Sequence, residues 1–127
     1  MSSDRKELRV FVVDDESVIA LTLAMILSKQ GFEAHAFRLP LEALAQAHKI
    51  PPDLLITDVV MPQLSGIELA IELRALCPNC KVLLFSGQAT TFDLLAQARA
   101  NGHQFEVLTK PVHPADLLRK IETVFAD

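Results

Sequence analysis

"LRVFVVDDES", Leu8–Ser17, decides the fold: a mostly apolar run enters two adjacent aspartates. A short continuous apolar run without alternation fits a strand buried on both faces, as in a parallel sheet covered by helices. Asp14 and Asp15 then stand at the carboxyl end of that strand, where such sheets place their ligands.

Working outward, strand and helix patterns alternate along the whole chain. "SVIALTLAMILSKQ", Ser17–Gln30, has helical periodicity, with Asp or Glu expected in the first turn and Gly31 as the stop. "FEAHAF", Phe32–Phe37, alternates like a strand, and "PLEALAQAHK" follows with Pro40 suited to the first helical position. "DLLITD", Asp53–Asp58, is a second apolar run that ends in an acid. "SGIELAIELRAL" opens with Ser65 and Glu68 spaced as a capping box. "CKVLLFSG", Cys80–Gly87, is another apolar strand, and "TTFDLLAQARANG" is a helix stopped near Asn101–Gly102. "FEVLTK", Phe105–Lys110, is the last strand. In "HPADLLRKIETVF" the residues Leu117, Leu118, Ile121, Val124 and Phe125 share one helical face.

Five strand–helix pairs in strict alternation predict an α/β fold. Right-handed crossovers favour a five-stranded parallel sheet in the order 2-1-3-4-5, flavodoxin-like and doubly wound with five helices. At 127 residues the chain is one domain, residues 1–127, long enough for a single proper core.

Composition narrows the function. A net charge of −4 argues against the phosphate attraction on which nucleic-acid binding rests. Trp and Tyr are absent, so stacking platforms for bases are poorly supplied. The N-terminus carries no apolar signal core, and no apolar run approaches the roughly 18–20 residues of a membrane span. A soluble cytoplasmic protein without membrane or direct nucleic-acid contact is the expectation. "CPNC", Cys77–Cys80, follows a helix and leads into a strand, the reverse of a thioredoxin-like site. A zinc site would need two further ligands that nearby sequence does not supply, so a turn closing the helix is expected. His35, His48, His103 and His113 share no spacing and are given no phosphoryl or metal role.

Chemistry is expected where the strand ends converge. The first strand ends in Asp14 and Asp15, the third in Asp58, the fourth in Ser86 and the fifth in Lys110. At about 4 Å and an effective dielectric near 20, each pair of carboxylates repels by about 4 kcal/mol. A raised pKa or a central cation relieves that repulsion. Mg²⁺ fits, because it takes one or two carboxylates, keeps several waters and bridges to phosphoryl groups. A carboxylate beside Mg²⁺, a lysine and a hydroxyl is also a plausible phosphoryl acceptor. The plainer alternatives are an Asp15 helix cap, a Ser86–Gly87 turn and a solvated lysine. Lys110–Pro111 is a peptide with an appreciable chance of being cis.

The chain resembles the receiver domains of two-component response regulators over essentially its whole length. The matching segments are "VVDDE" (Val12–Glu16), "DVVMPQLSGIEL" (Asp58–Leu69), "LLFSG" (Leu83–Gly87) and "LTKP" (Leu108–Pro111). Asp58, Pro62 and Gly66 fit the family's D-x-x-M-P-x-x-x-G pattern. The resemblance implies that Asp58 accepts a phosphoryl group from a sensor histidine kinase, a phosphotransfer protein or a small donor such as acetyl phosphate. It implies that Asp15 ligates Mg²⁺ directly and Asp14 mainly through water, with Asp58 and the backbone carbonyl of Val60 completing the set. Ser86 and Lys110 would each contact a phosphoryl oxygen, Gly87 would leave room beside them, and Pro62 and Gly66 would shape the loop. The implied role is a signalling switch that catalyses its own phosphorylation and dephosphorylation, and not a turnover enzyme.

Two rivals stand beside this reading. A Mg²⁺-dependent phosphatase with an Asp nucleophile resembles a D-x-D arrangement after the first strand, whereas this chain has D-D there. A receiver-like adaptor that has lost phosphorylation would not need the complete Asp, Ser and Lys set. One departure from the family is expected to matter: the aromatic usually found three residues before the lysine is Val107. Phe105 lies on the same strand face about 7 Å further from the active edge and is read as core. The segment before Lys110 also reads as one residue longer than usual, so output is expected to travel through Ser86 and the following loop and helix. The chain stops at Asp127 as the last helix ends, as either a stand-alone receiver or a piece of a longer regulator or hybrid kinase.

Overall fold

The structure is a computed structural model that describes residues 8–87 and 91–126. The elements are β1 (Arg9–Val13), α1 (Ser17–Lys29), β2 (Glu33–Phe37), α2 (Pro40–Lys49), β3 (Leu54–Asp58), α3 (Gly66–Leu76), β4 (Lys81–Ser86), α4 (Thr91–Ala100), β5 (Glu106–Thr109) and α5 (Pro114–Val124). All neighbouring strands are parallel, in the order β2-β1-β3-β4-β5. The expected α/β architecture is the observed one.

Strand alternation sends successive side chains to two cores. Phe11, Val13, Leu55, Val82 and Leu84 face α2, α3 and α4, where Ala43, Leu69 and Leu73 close the layer. Val10, Val12, Ile56, Leu83 and Phe85 face α1 and α5, meeting Leu23, Leu27, Leu117 and Ile121. Burying one such large side chain contributes about 1.5–3 kcal/mol. The central strands β1, β3 and β4 are therefore buried along most of their length, while the edge strands β2 and β5 keep exposed positions.

Helix ends follow the local chemistry. Ser65 Oγ accepts from the Glu68 amide at 3.1 Å and Glu68 Oε1 accepts from the Ser65 amide at 2.9 Å, so the expected capping box forms. Gly31 takes φ +98°, and the Phe32 amide turns back to the Leu27 carbonyl at 3.1 Å, ending α1 where expected. Two local expectations are corrected. The first turn of α1 holds no acid: the helix begins at Ser17, with Glu16 as an N-cap whose side chain makes no capping bond. Nor does Asp15 cap it; Asp14 Oδ1 accepts from the Glu16 amide at 2.9 Å, so the buried acid ties down the approach to the helix.

The CPNC segment is a turn, with the Cys80 amide bonded to the Cys77 carbonyl at 3.0 Å. Cys80 is buried, its thiol donates to the Lys81 carbonyl at 3.3 Å, and burial pushes its pKa up to about 12. That is a core thiol in its unreactive form. Residues 1–7, 88–90 and 127 and the side chains of 91–93 lie outside what is described, and so does part of the segment expected to carry output beyond Ser86.

Candidate functional site

The sheet register assembles the site. Val13 pairs with Thr57, so Asp14, one residue on, lies beside Asp58. The ladders run on past the strand ends: the Asp14 amide reaches the Phe37 carbonyl at 3.1 Å and the Val59 amide reaches the Phe85 carbonyl at 3.1 Å. Ser86 pairs with Thr109, and the Lys110 amide reaches the Ser86 carbonyl at 2.9 Å. The carboxyl ends of β1, β3, β4 and β5 are thereby pinned side by side, with Asp14, Asp15, Asp58, Ser86 and Lys110 on one edge.

Lys110 is the hub. Its Nζ lies 3.2 Å from Asp14 Oδ2 and 3.3 Å from Asp58 Oδ2. The Lys110–Pro111 peptide is cis. Asp14 is fully buried, at 0% exposure, and its carboxylate meets the Lys110 ammonium and the Glu16 amide in place of water. Asp15 is exposed, yet Asp14, Asp15 and Asp58 bring one oxygen each within 4.8 Å of one another. Three carboxylates against one ammonium leave a local charge of −2, which suits a divalent cation with oxygen ligands. The donor set therefore fits Mg²⁺. Val60, the source of the expected carbonyl ligand, sits two residues past Asp58 in the segment leading to α3 and is an exposed residue.

Electrostatics favour protonated forms at both ends of the pair. Burial raises the Asp58 pKa; Lys110 pulls it back, Asp14 pushes it up, and the net shift is upward. Burial alone would lower Lys110, but Asp58 and Asp14 outweigh it, and the ammonium is held above its ordinary value. Asp58 Oδ1 also accepts from the Val59 amide at 2.9 Å.

One support escaped the reading of the sequence, and a second was given too weak a role. Thr57 is a fully buried polar residue whose Oγ1 donates to the Asp58 carbonyl at 2.9 Å and faces Met61 Sδ at 3.8 Å. The lone hydroxyl in "LLITD" was its only signal. Gly66 has a harder role than shaping a loop: a Cβ there would run into the Asp58 backbone carbonyl. Its amide also bonds the Val59 carbonyl at 2.7 Å, so α3 starts directly on the acceptor strand. At Gly87, by contrast, a Cβ would meet the Lys110 stem at 3.5–3.6 Å, an ordinary contact.

Val107 is half-buried and packs on the core with Phe105. Phe105 lies one residue before β5, with the Arg74 guanidinium 4.6 Å from its ring centroid and His103 stacked at 6.4 Å. It belongs to the rim of the core, and neither residue lies at the acidic edge. His35 is engaged by Glu33 at 2.9 Å, and His113 precedes α5 without a side-chain cap.

A five-stranded parallel sheet whose carboxyl edge holds three acids and one shared lysine defines a receiver. The profile of the response regulator receiver domain matches residues 10–122, and the chain belongs to that family. The transcriptional regulatory protein CreB of Escherichia coli is 33% identical over 115 residues, which are 91% of this chain and 49% of CreB. The chain thus spans about half the length of that relative. A response regulator receiver domain protein from Clostridium thermocellum superposes with a TM-score of 0.83 at 30% identity, over 94% of this chain and 95% of that one. The response regulator TrrA of Thermotoga maritima, solved in complex with Mg²⁺ and BeF, superposes with a TM-score of 0.79 at 28% identity, over 94% of this chain and all of that one. Among the described residues no helix is long and apolar enough to cross a membrane.

Proposed function

We propose that this receiver accepts a phosphoryl group on Asp58 from a sensor histidine kinase or a phosphotransfer protein, in a Mg²⁺-dependent reaction, and acts as a cytoplasmic switch. The observation that carries the reading is the single ammonium of Lys110 held 3.2–3.3 Å from both Asp14 and Asp58. An ion pair built only for stability needs one acid; a lysine shared by two, with a third beside them, is poised for incoming negative charge. The complex of TrrA with Mg²⁺ and BeF supports the same chemistry for a relative of this fold.

In this reading Asp14, Asp15, Asp58 and the Val60 carbonyl would hold Mg²⁺, and the chemistry it would supply there is neutralisation of phosphoryl charge. A carboxylate oxygen of Asp58 attacks the donor phosphorus as the phosphorus–nitrogen bond of the phosphohistidine breaks, and the electron pair leaves with the imidazole. Lys110 and Ser86 then each engage one phosphoryl oxygen. Lys110 is released from Asp58 to do so, while Asp14 keeps it oriented. The protein is an acceptor and a switch and does not turn over an external metabolite.

Intact-mass measurement after acetyl phosphate and Mg²⁺ tests this. Wild type gains one phosphoryl group; Asp58→Ala gains none, and chelation of Mg²⁺ removes the adduct from wild type. If neither acetyl phosphate nor a panel of phosphorylated kinases produces a Mg²⁺-dependent adduct, the reading is wrong.

A further inference from the structure

The amino edge of the sheet carries a second charged cavity, of about 610 Å³. Arg74 from α3, Lys81 at the start of β4 and Arg99 from α4 line it, together with Phe105, Glu106 and Val124. Among the described residues none of these three cations makes an ion pair. The one acid in the lining is already engaged: Glu106 Oε1 lies 3.2 Å from Lys120 Nζ. In a chain with 16 acidic and 12 basic residues, three unpaired cations around one cavity are an uncompensated charge.

Arg74 is fixed in place without a carboxylate. Its guanidinium lies over the Phe105 ring at 4.6 Å, and Nη1 donates to the Gln104 carbonyl at 3.4 Å. Burial lowers its pKa, which marks a cation partly removed from water with no acid in compensation. Arg74 and Arg99 each stand in the last turn of a helix, where the helix dipole favours one cation. That accounts for each arginine singly. It leaves unexplained why both share a cavity with Lys81, where the one acid of the lining, Glu106, is engaged by Lys120.

We infer that this cavity is a binding site for a small molecule carrying a phosphate or pyrophosphate group. Guanidinium forks match phosphate oxygens two at a time, and a lysine adds a point charge. The volume lies within the range of small-ligand sites. The site is separate from the acidic edge: it lies at the opposite ends of β4 and β5, and its occupancy does not depend on Asp58.

Titration of inorganic pyrophosphate and of ADP into the Mg²⁺-free protein at constant ionic strength, followed by backbone amide NMR, tests the inference. Saturable shifts centred on Arg74, Lys81, Arg99 and Phe105 are expected. Arg74→Ala and, independently, the exposed Arg99→Ala should each weaken binding about tenfold, as loss of one charge-assisted contact implies. Arg99→Ala keeps the test decisive if Arg74→Ala fails to fold. Tighter binding of ADP identifies a nucleotide as the source of the phosphate; equal or weaker binding identifies a simpler phosphate compound. Shifts that follow ionic strength alone, shifts centred on Asp58 and Lys110, or tighter binding of an acidic peptide than of either phosphate would each overturn it.

Discussion

The two edges of the sheet solve opposite problems with the same means. At the carboxyl edge Asp14, Asp15 and Asp58 crowd together and one lysine is shared between two of them. At the amino edge of β4 and β5 Arg74, Lys81 and Arg99 line one cavity, and the acid in its lining, Glu106, is held by Lys120. Elsewhere at the amino edge signs are matched: Arg9 pairs with Glu33 at 2.8 Å, and its amide takes Asp53 Oδ2 at 2.7 Å. The two edges thus differ in sign, with three acids at one and three cations lining a cavity at the other.

The largest expected effect lies under the acidic edge. Gly66→Ala places a methyl group against the Asp58 carbonyl and should cost about 3 kcal/mol in urea unfolding, because backbone must move to admit it. A wild-type midpoint would mean that the spacing of α3 from β3 is soft and that the acceptor is not rigidly seated.

Lys110→Ala comes next. It leaves the buried Asp14 and half-buried Asp58 without their shared cation and should cost about 2 kcal/mol, less than for a fully buried pair because Lys110 retains some solvent. The raised pKa of Lys110 means that its contribution holds through the neutral range and is lost only as pH rises through that value in alkaline solution. Unchanged stability in Lys110→Ala would show the ammonium to be a spectator.

The upward shift of Asp58 gives a smaller effect of defined sign. Folded Asp58 binds its proton more tightly than unfolded Asp58, so folding favours the protonated form. In Mg²⁺-free buffer this contribution should rise as pH falls through the raised pKa and level off below the ordinary carboxylate range. Asp58→Asn should remove that component from the pH profile of thermal unfolding. An identical profile in wild type and variant would contradict the shift.

The smallest effects compare the edges directly. Asp15→Asn and Arg99→Gln each remove one exposed member of a like-charged group, and each should raise metal-free stability by a few tenths of a kcal/mol. Both gains should shrink in high salt. A loss in either variant would show that its edge is already compensated. Asp15→Asn should also weaken Mg²⁺ binding measured by calorimetry.

Most of the carboxyl edge was legible in the sequence because strand ends are marked by composition. Apolar runs in "RVFVV", "LLITD" and "KVLLFS" stop at polar residues, and parallel pairing then places those residues side by side. The different fates of Asp14 and Asp15 were not legible. Which of two adjacent acids turns inward depends on the bend before Ser17, and only the structure shows Asp14 buried and bound to Lys110. Repulsion alone would suggest that Asp14→Asn stabilises the metal-free protein, but its ion pair opposes that gain. The basic cavity was invisible for a related reason: Arg74, Lys81 and Arg99 come from three elements, and no local pattern brings them together. Phe105 was read as core, and its position beneath Arg74 depends on how α3 meets the start of β5.

Val59 is bonded through both its backbone groups: its N–H donates to the Phe85 carbonyl across the sheet, and its carbonyl accepts from the Gly66 amide at the start of α3. The loop after the acceptor is thus a closed ring of fixed circumference, fastened to β4 at its root. An inserted residue between Val60 and Ser65 could only bulge outward, and a deleted one would tear the ring open. That ring works as a gauge block, setting the distance between the acceptor strand and the helix that begins beside it.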